Sequence, residues 1–206
     1  MTKRKLTNSG ARRRTVLQTI CGGLAVGTIP MATARGSRCP PARFSVHLSG
    51  ADSAGHGVLT LREDPREGDS TLAFSLHVTA LDEPVDAVHI HDTEHPEMPH
   101  VLDLYDIDGR RIDDETGNPW PAVRSHDGSD PLDAHNGRID GTITDEHLPV
   151  DRRLGDDQPS TVDELIDHFQ AGRAMVMVHQ HDGDPESVGP MELNGKVVPR
   201  GRPPSA

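Results

Sequence analysis

Aromatic residues, lysine and cysteine are all scarce in this chain, and each shortage removes a class of function. Three phenylalanines, one tyrosine and one tryptophan in 206 residues argue against a groove built to stack sugar rings. Lysine occurs only at positions 3, 5 and 196, and all 33 acidic residues follow residue 34, within a chain of net charge -12. Such a surface repels phosphate backbones and anionic lipid, so neither nucleic acid nor an anionic membrane is an expected partner. Of the two cysteines, Cys21 falls inside a candidate export signal, which leaves Cys39 alone and rules out an intrachain disulfide in the mature protein. There is no serine nucleophile elbow and no phosphate-cradling glycine loop. Cys39, in an arginine-rich start, is a poor nucleophile. No catalytic set emerges, and an enzyme is the less favoured reading.

What is present begins with processing. Lys3, Arg4, Lys5 and Arg12-Arg13-Arg14 precede a modest apolar run, Val16 to Ile29, and the small residues Ala32-Thr33-Ala34. Residues 1–34 therefore have the form of a secretory signal, too short and too interrupted for a membrane span. Arg13-Arg14-Thr15-Val16-Leu17 resembles a twin-arginine signal, which implies export in the folded state and the twin-arginine machinery as a transient partner. Residues 35–42 form a short linker. The acidity, with arginine favoured over lysine, resembles that of exported proteins from salt-loving microbes, where screening relieves self-repulsion. The expected location is secreted or at the cell surface.

Apolar and polar residues alternate through most of the remaining chain, which is the period of half-buried strands. Phe44, Val46 and Leu48 form one face, Val58 to Leu61 follows, and Leu72, Phe74, Leu76 and Val78 make the clearest strand. Val88 and Ile90 face a core while Ala87, His89 and His91 face away. Val101 to Tyr105, Gly137 to Thr144, Ala174 to His181 and Met191 to Val198 complete the set. The period changes once, where Ser160 and Thr161 offer N-caps, Leu165, Ile166 and Phe169 line one side, and Gly172 stops a short helix. Between 106 and 136 the apolar signal nearly disappears, suggesting a long acidic loop, solvated or calcium-holding, with Trp120 as its only large hydrophobe. The fold expected is all-β: a Greek-key, immunoglobulin-like β-sandwich with one short connecting helix.

Two histidine pairs stand out on this framework. His89-Ile90-His91 and His179-Gln180-His181 each place two imidazoles on one face of a strand. If the strands are neighbours, His89, His91, His179 and His181 converge on one ion. Copper or zinc would suit, with Met175 and Met177 on the same face favouring copper. The same spacing also suits histidines that hydrogen-bond the backbone while the methionines pack. His95, His100, His126 and His135 are further donors without a defining spacing.

Several segments, in order, resemble the CHRD domain, the module named after chordin. They are Phe44-Ser45-Val46-His47-Leu48-Ser49-Gly50, Leu72 through Leu81, Ala87-Val88-His89-Ile90-His91, and Asn136-Gly137 through Thr144-Asp145. Val162 to Leu165 leading to Ala171-Gly172-Arg173-Ala174, then Val176-Met177-Val178-His179-Gln180 and Glu192-Leu193-Asn194-Gly195, complete the match. The resemblance covers 43–198 and leaves 199–206 as a tail. Departures include Asp92-Thr93-Glu94-His95-Pro96 in place of a glycine-rich turn, Met177 in place of an asparagine, and Met191 in place of a glycine. The resemblance implies a binding or structural role outside the cytoplasm, toward an extracytoplasmic protein or surface ligand. An alternative is a metal-dependent redox enzyme, since His-x-His on a sandwich strand is similar to an element of copper-zinc superoxide dismutase.

Overall fold

Each alternating segment becomes a strand whose apolar set points inward. The computed structural model describes residues 41–200 with the exception of 52, 66–69, 108–120, 127–129, 149–156 and 184–188. The candidate export signal, Cys21, Cys39, Trp120 and the tail from 201 onward lie outside the described residues. The strands are β1 (Arg43–Ser49), β2 (His56–Pro65), β3 (Ser70–Thr79), β4 (Val85–Asp92), β5 (His100–Ile107), β6 (Ala122–His126), β7 (Gly137–Ile143), β8 (Ala174–Gln180), β9 (Met191–Lys196) and β10 (Val198–Pro199). The α-helix α1 spans Val162–Gln170. Among the described residues no helix is long and apolar enough to cross a membrane.

The fold is all-β with one short helix. Its strands form one hydrogen-bonded sheet in the order β6-β5-β4-β8-β9-β1-β2-β3-β7, with β10 on β1. The two layers of the sandwich are thus halves of a single sheet, joined where Ser49 pairs with Asn194. Phe44, Val46, Leu59, Leu61, Leu72, Leu76 and Val78 from one half and Val88, Ile90, Val176, Val178 and Leu193 from the other meet in one buried cluster. Each such side chain contributes roughly 1.5–3 kcal/mol by leaving water.

The join demands close approach. A Cβ on Gly195 would lie 2.2 Å from the backbone oxygen of His47, so β9 and β1 pack at a distance that only glycine permits. Gly195→Ala is expected to destabilise the fold by about 1–3 kcal/mol through this overpacking. The check is a lowered urea midpoint with an unchanged m-value.

Helix α1 packs against the core beside β3 and β10. The Thr161 side chain accepts from the Glu164 amide, and Asp163 and Glu164 sit in the first turn, where negative charge is favoured. Val162, Leu165, Ile166 and Phe169 are buried, and the Phe169 ring meets Phe44 edge-on at 5.3 Å. Gly172, at φ +72°, takes the left-handed conformation that ends the segment. Inside the stretch expected as an acidic loop, Ala122–His126 forms β6, parallel to β5. Only Val123 of this strand packs on the core, too little apolar alternation to announce it in the sequence.

Candidate metal centre

Three neighbouring strands, β5, β4 and β8, carry the histidines. In antiparallel pairs, directly opposed residues share a face. His91 opposes His100 on β5 and Met175 on β8, His89 opposes Asp103 and Met177, and His179 opposes Ala87 on β4 and Met191 on β9. The donor atoms of His89, His91 and His179 all lie within 4.8 Å of one another, as do those of His89, His100 and Asp103. The rings of His89 and His179 are 5.2 Å apart, and His100 lies 4.3 Å from both His89 and His91.

Each grouped histidine is held through one ring nitrogen by an oxygen that can only accept. His91 Nδ1 donates to the Met98 carbonyl at 2.6 Å, His179 Nδ1 to the Gly189 carbonyl at 2.9 Å, and His89 Nε2 to Asp106 Oδ2 at 3.2 Å. In a neutral imidazole those protons place the lone pair on the opposite nitrogen: Nε2 of His91 and His179, and Nδ1 of His89. A lone pair on such a nitrogen can coordinate a metal, and carbonyl or carboxylate oxygens are the usual outer partners of ligating histidines. His100 Nδ1 donates to Asp103 Oδ1 at 2.8 Å.

Burial, then the neighbouring His100 and His179 imidazoles, lowers the His91 pKa from 6.5 to about 4, against the opposing effects of the Met98 carbonyl and Asp103. His91 is therefore a neutral donor at physiological pH. The loop that supplies the Met98 carbonyl is fixed by Asp92, whose Oδ1 accepts from the Glu94 and His95 amides at 2.6 and 3.0 Å. Burial pushes the Asp92 carboxyl up, but those two amides, with His168 and Arg173, hold it below its ordinary value. Arg173 donates to Asp92 Oδ2 at 3.0 Å, tying the loop to the start of β8. Met98 takes φ +44°, a left-handed conformation uncommon for a non-glycine residue, beside the oxygen it offers.

His181 stands apart from the group. It follows the last residue of β8 and its Nδ1 lies 3.5 Å from Asp86 Oδ1. A register shift between Val85 and Ala87 adds Asp86 to β4 at that point, so the second member of the His179 pair serves a different cluster. His126 joins the same one, donating Nε2 to the Asp86 carbonyl at 3.0 Å and stacking on Tyr105. His95 and His135 are not among the grouped donors.

His100, Asp103 and Asp106 gain roles that alternation alone did not assign. Their three-residue spacing cannot share one face of a regular strand. Register shifts between Val88 and His89 and between Ile90 and His91 skip Leu104 and Val101 on β5, which brings Asp103 and His100 opposite the two histidines. A His-x-x-Asp-x-x-Asp run opposite a His-x-His strand is the signal that could have found them. Compared with family models, curated proteins and solved structures, the chain matches none of them.

Proposed function

We propose that this chain is an exported CHRD-domain protein that binds a transition metal through His89, His91 and His179, in a binding role rather than a catalytic one. The observation that carries this reading is the convergence of three imidazole donor atoms within 4.8 Å on adjacent strands. An ion bonded to all three at about 2 Å would draw the donors inward by roughly an ångström, a side-chain adjustment that leaves the strands in place. Neutral imidazoles suit copper or zinc. Acceptors at Asp106, Met98 and Gly189 already set the ring protons away from the ion, so binding requires little reorganisation.

The basic start, the Ala32-Thr33-Ala34 ending and the ordered CHRD-like segments support an extracytoplasmic setting. The negative surface would repel an anionic radical substrate, which favours binding over superoxide chemistry. The test is the metal content of the full chain purified without an affinity tag, as wild type and as His91→Ala, His179→Ala and His181→Ala. About one equivalent of copper or zinc is expected in wild type and in His181→Ala, and little in the other two. Equal metal in all four proteins, each with an unchanged circular dichroism spectrum, would refute the assignment.

A further inference from the structure

Four of the six methionines lie among the described residues, and all four are at the histidine group. Met175 opposes His91, Met177 opposes His89 and Met191 opposes His179, so each of the three histidines has a methionine as its direct cross-strand partner. The fourth, Met98, supplies the carbonyl that holds His91. Opposed side chains begin with Cβ atoms about 5 Å apart, within the reach of a three-torsion thioether.

These residues are not needed to fill the core. Met175 and Met177 are half-buried, and Met191 is 47 % exposed, one of the few large hydrophobic residues exposed among the described residues. The core-facing positions of β8 are Ala174, Val176 and Val178, all fully buried. Exposed or half-exposed strand positions ordinarily go to polar or β-branched residues, whereas here three thioether side chains stand opposite three imidazoles in the strand register.

We infer that the metal at this site is copper in its reduced state, held by the imidazoles of His89, His91 and His179 with a thioether from among Met175, Met177 and Met191 completing a set of at most four donors. This rests on the metal-binding reading above and sharpens it. Thioether sulfur favours Cu(I) strongly, while zinc is served by nitrogen, oxygen and thiolate. The half-exposed methionine side is the side from which Cu(I) enters and leaves, because His89 and His91 are buried while His179 and the methionines are partly open to solvent.

The test compares the wild-type full chain with the triple variant Met175→Leu, Met177→Leu, Met191→Leu, which changes side-chain volume little. Cu(I) affinity is read by competition with a chromogenic Cu(I) chelator under anaerobic reductant, and Zn(II) affinity in a parallel titration. The triple variant is expected to lose at least about tenfold in Cu(I) affinity with Zn(II) affinity changed less than about threefold. X-ray absorption of the Cu(I)-loaded wild type is expected to show sulfur neighbours that the variant lacks. Zinc binding by the wild type, with Cu(I) affinity unaltered in the variant and no sulfur neighbours around Cu(I) in the wild type, would overturn the copper inference alone. Failure of wild type to bind either ion would overturn the metal site itself.

Discussion

Lowering the pH from 7 to about 4 in the presence of a chelator is expected to cost the fold about 3 kcal/mol through His91 alone. Burial and the adjacent His100 and His179 rings put the folded pKa at about 4 against an ordinary 6.5. The full gap corresponds to about 3.5 kcal/mol, of which about 3 is lost between pH 7 and 4 because the folded imidazole is itself half protonated at its own pKa. The sign follows from proton uptake. Below 6.5 the unfolded chain binds a proton at His91 that the folded chain does not, so stability falls with pH and levels off only below about 4. His168 acts in the same direction, because burial, the largest influence on it, lowers its pKa despite the nearby Asp92 and Glu94 carboxylates. Falling pH also relieves the repulsion of the acidic surface, which opposes the trend. A comparison of wild type with His91→Gln by urea denaturation at fixed salt isolates the histidine. The wild type is expected to lose about 3 kcal/mol more than the variant between pH 7 and 4, and parallel curves would refute the account.

Most strands were legible because they bury one alternating face, although β4 and β5 are buried along their whole length and β6 has little apolar alternation. The alternation of Leu72, Phe74, Leu76 and Val78, or of Ala174, Val176 and Val178, leaves only one face that can point inward. The helix was legible for a similar reason, since Thr161, Glu164 and Gly172 mark its ends. That the two layers belong to one sheet was not legible, because it depends on the single Ser49 to Asn194 pairing between segments far apart in sequence. The site was half legible. His89, His91 and His179 follow the two-residue period and are brought together, while His181 leaves the row at the end of β8. His100, Asp103 and Asp106 were obscured by two bulges, which change which residues share a face without any distinctive residue at the bulge itself.

Metal is expected to stabilise the protein by about 4 kcal/mol when free ion is a thousandfold above the dissociation constant, since binding confined to the folded state adds RT ln(1 + [L]/Kd). The donors come from β4 and β8, neighbours only in the folded sheet, so the unfolded chain has no comparable site. His91→Ala and His179→Ala are expected to abolish the stabilisation, each removing one of the three imidazoles. Asp106→Asn addresses a different quantity. It preserves an acceptor for His89 Nε2, now 3.2 Å from Asp106 Oδ2, but removes the charge that makes the imidazole a stronger donor. A loss of such an outer partner costs about 10–100-fold in affinity, so the metal-induced stabilisation should shrink by about 1.4–2.7 kcal/mol rather than vanish. His181→Ala, beside Asp86 at the other end of the strand pair, should retain all of it. Thermal unfolding of the full chain with copper or zinc against chelator measures each case. Because His91 is neutral down to about pH 4, protons compete weakly with the ion at that ligand, and the loaded protein should hold its stability further into acid than the chelated one. A melting shift of equal size in wild type and in the His91 and His179 variants would place the ion elsewhere.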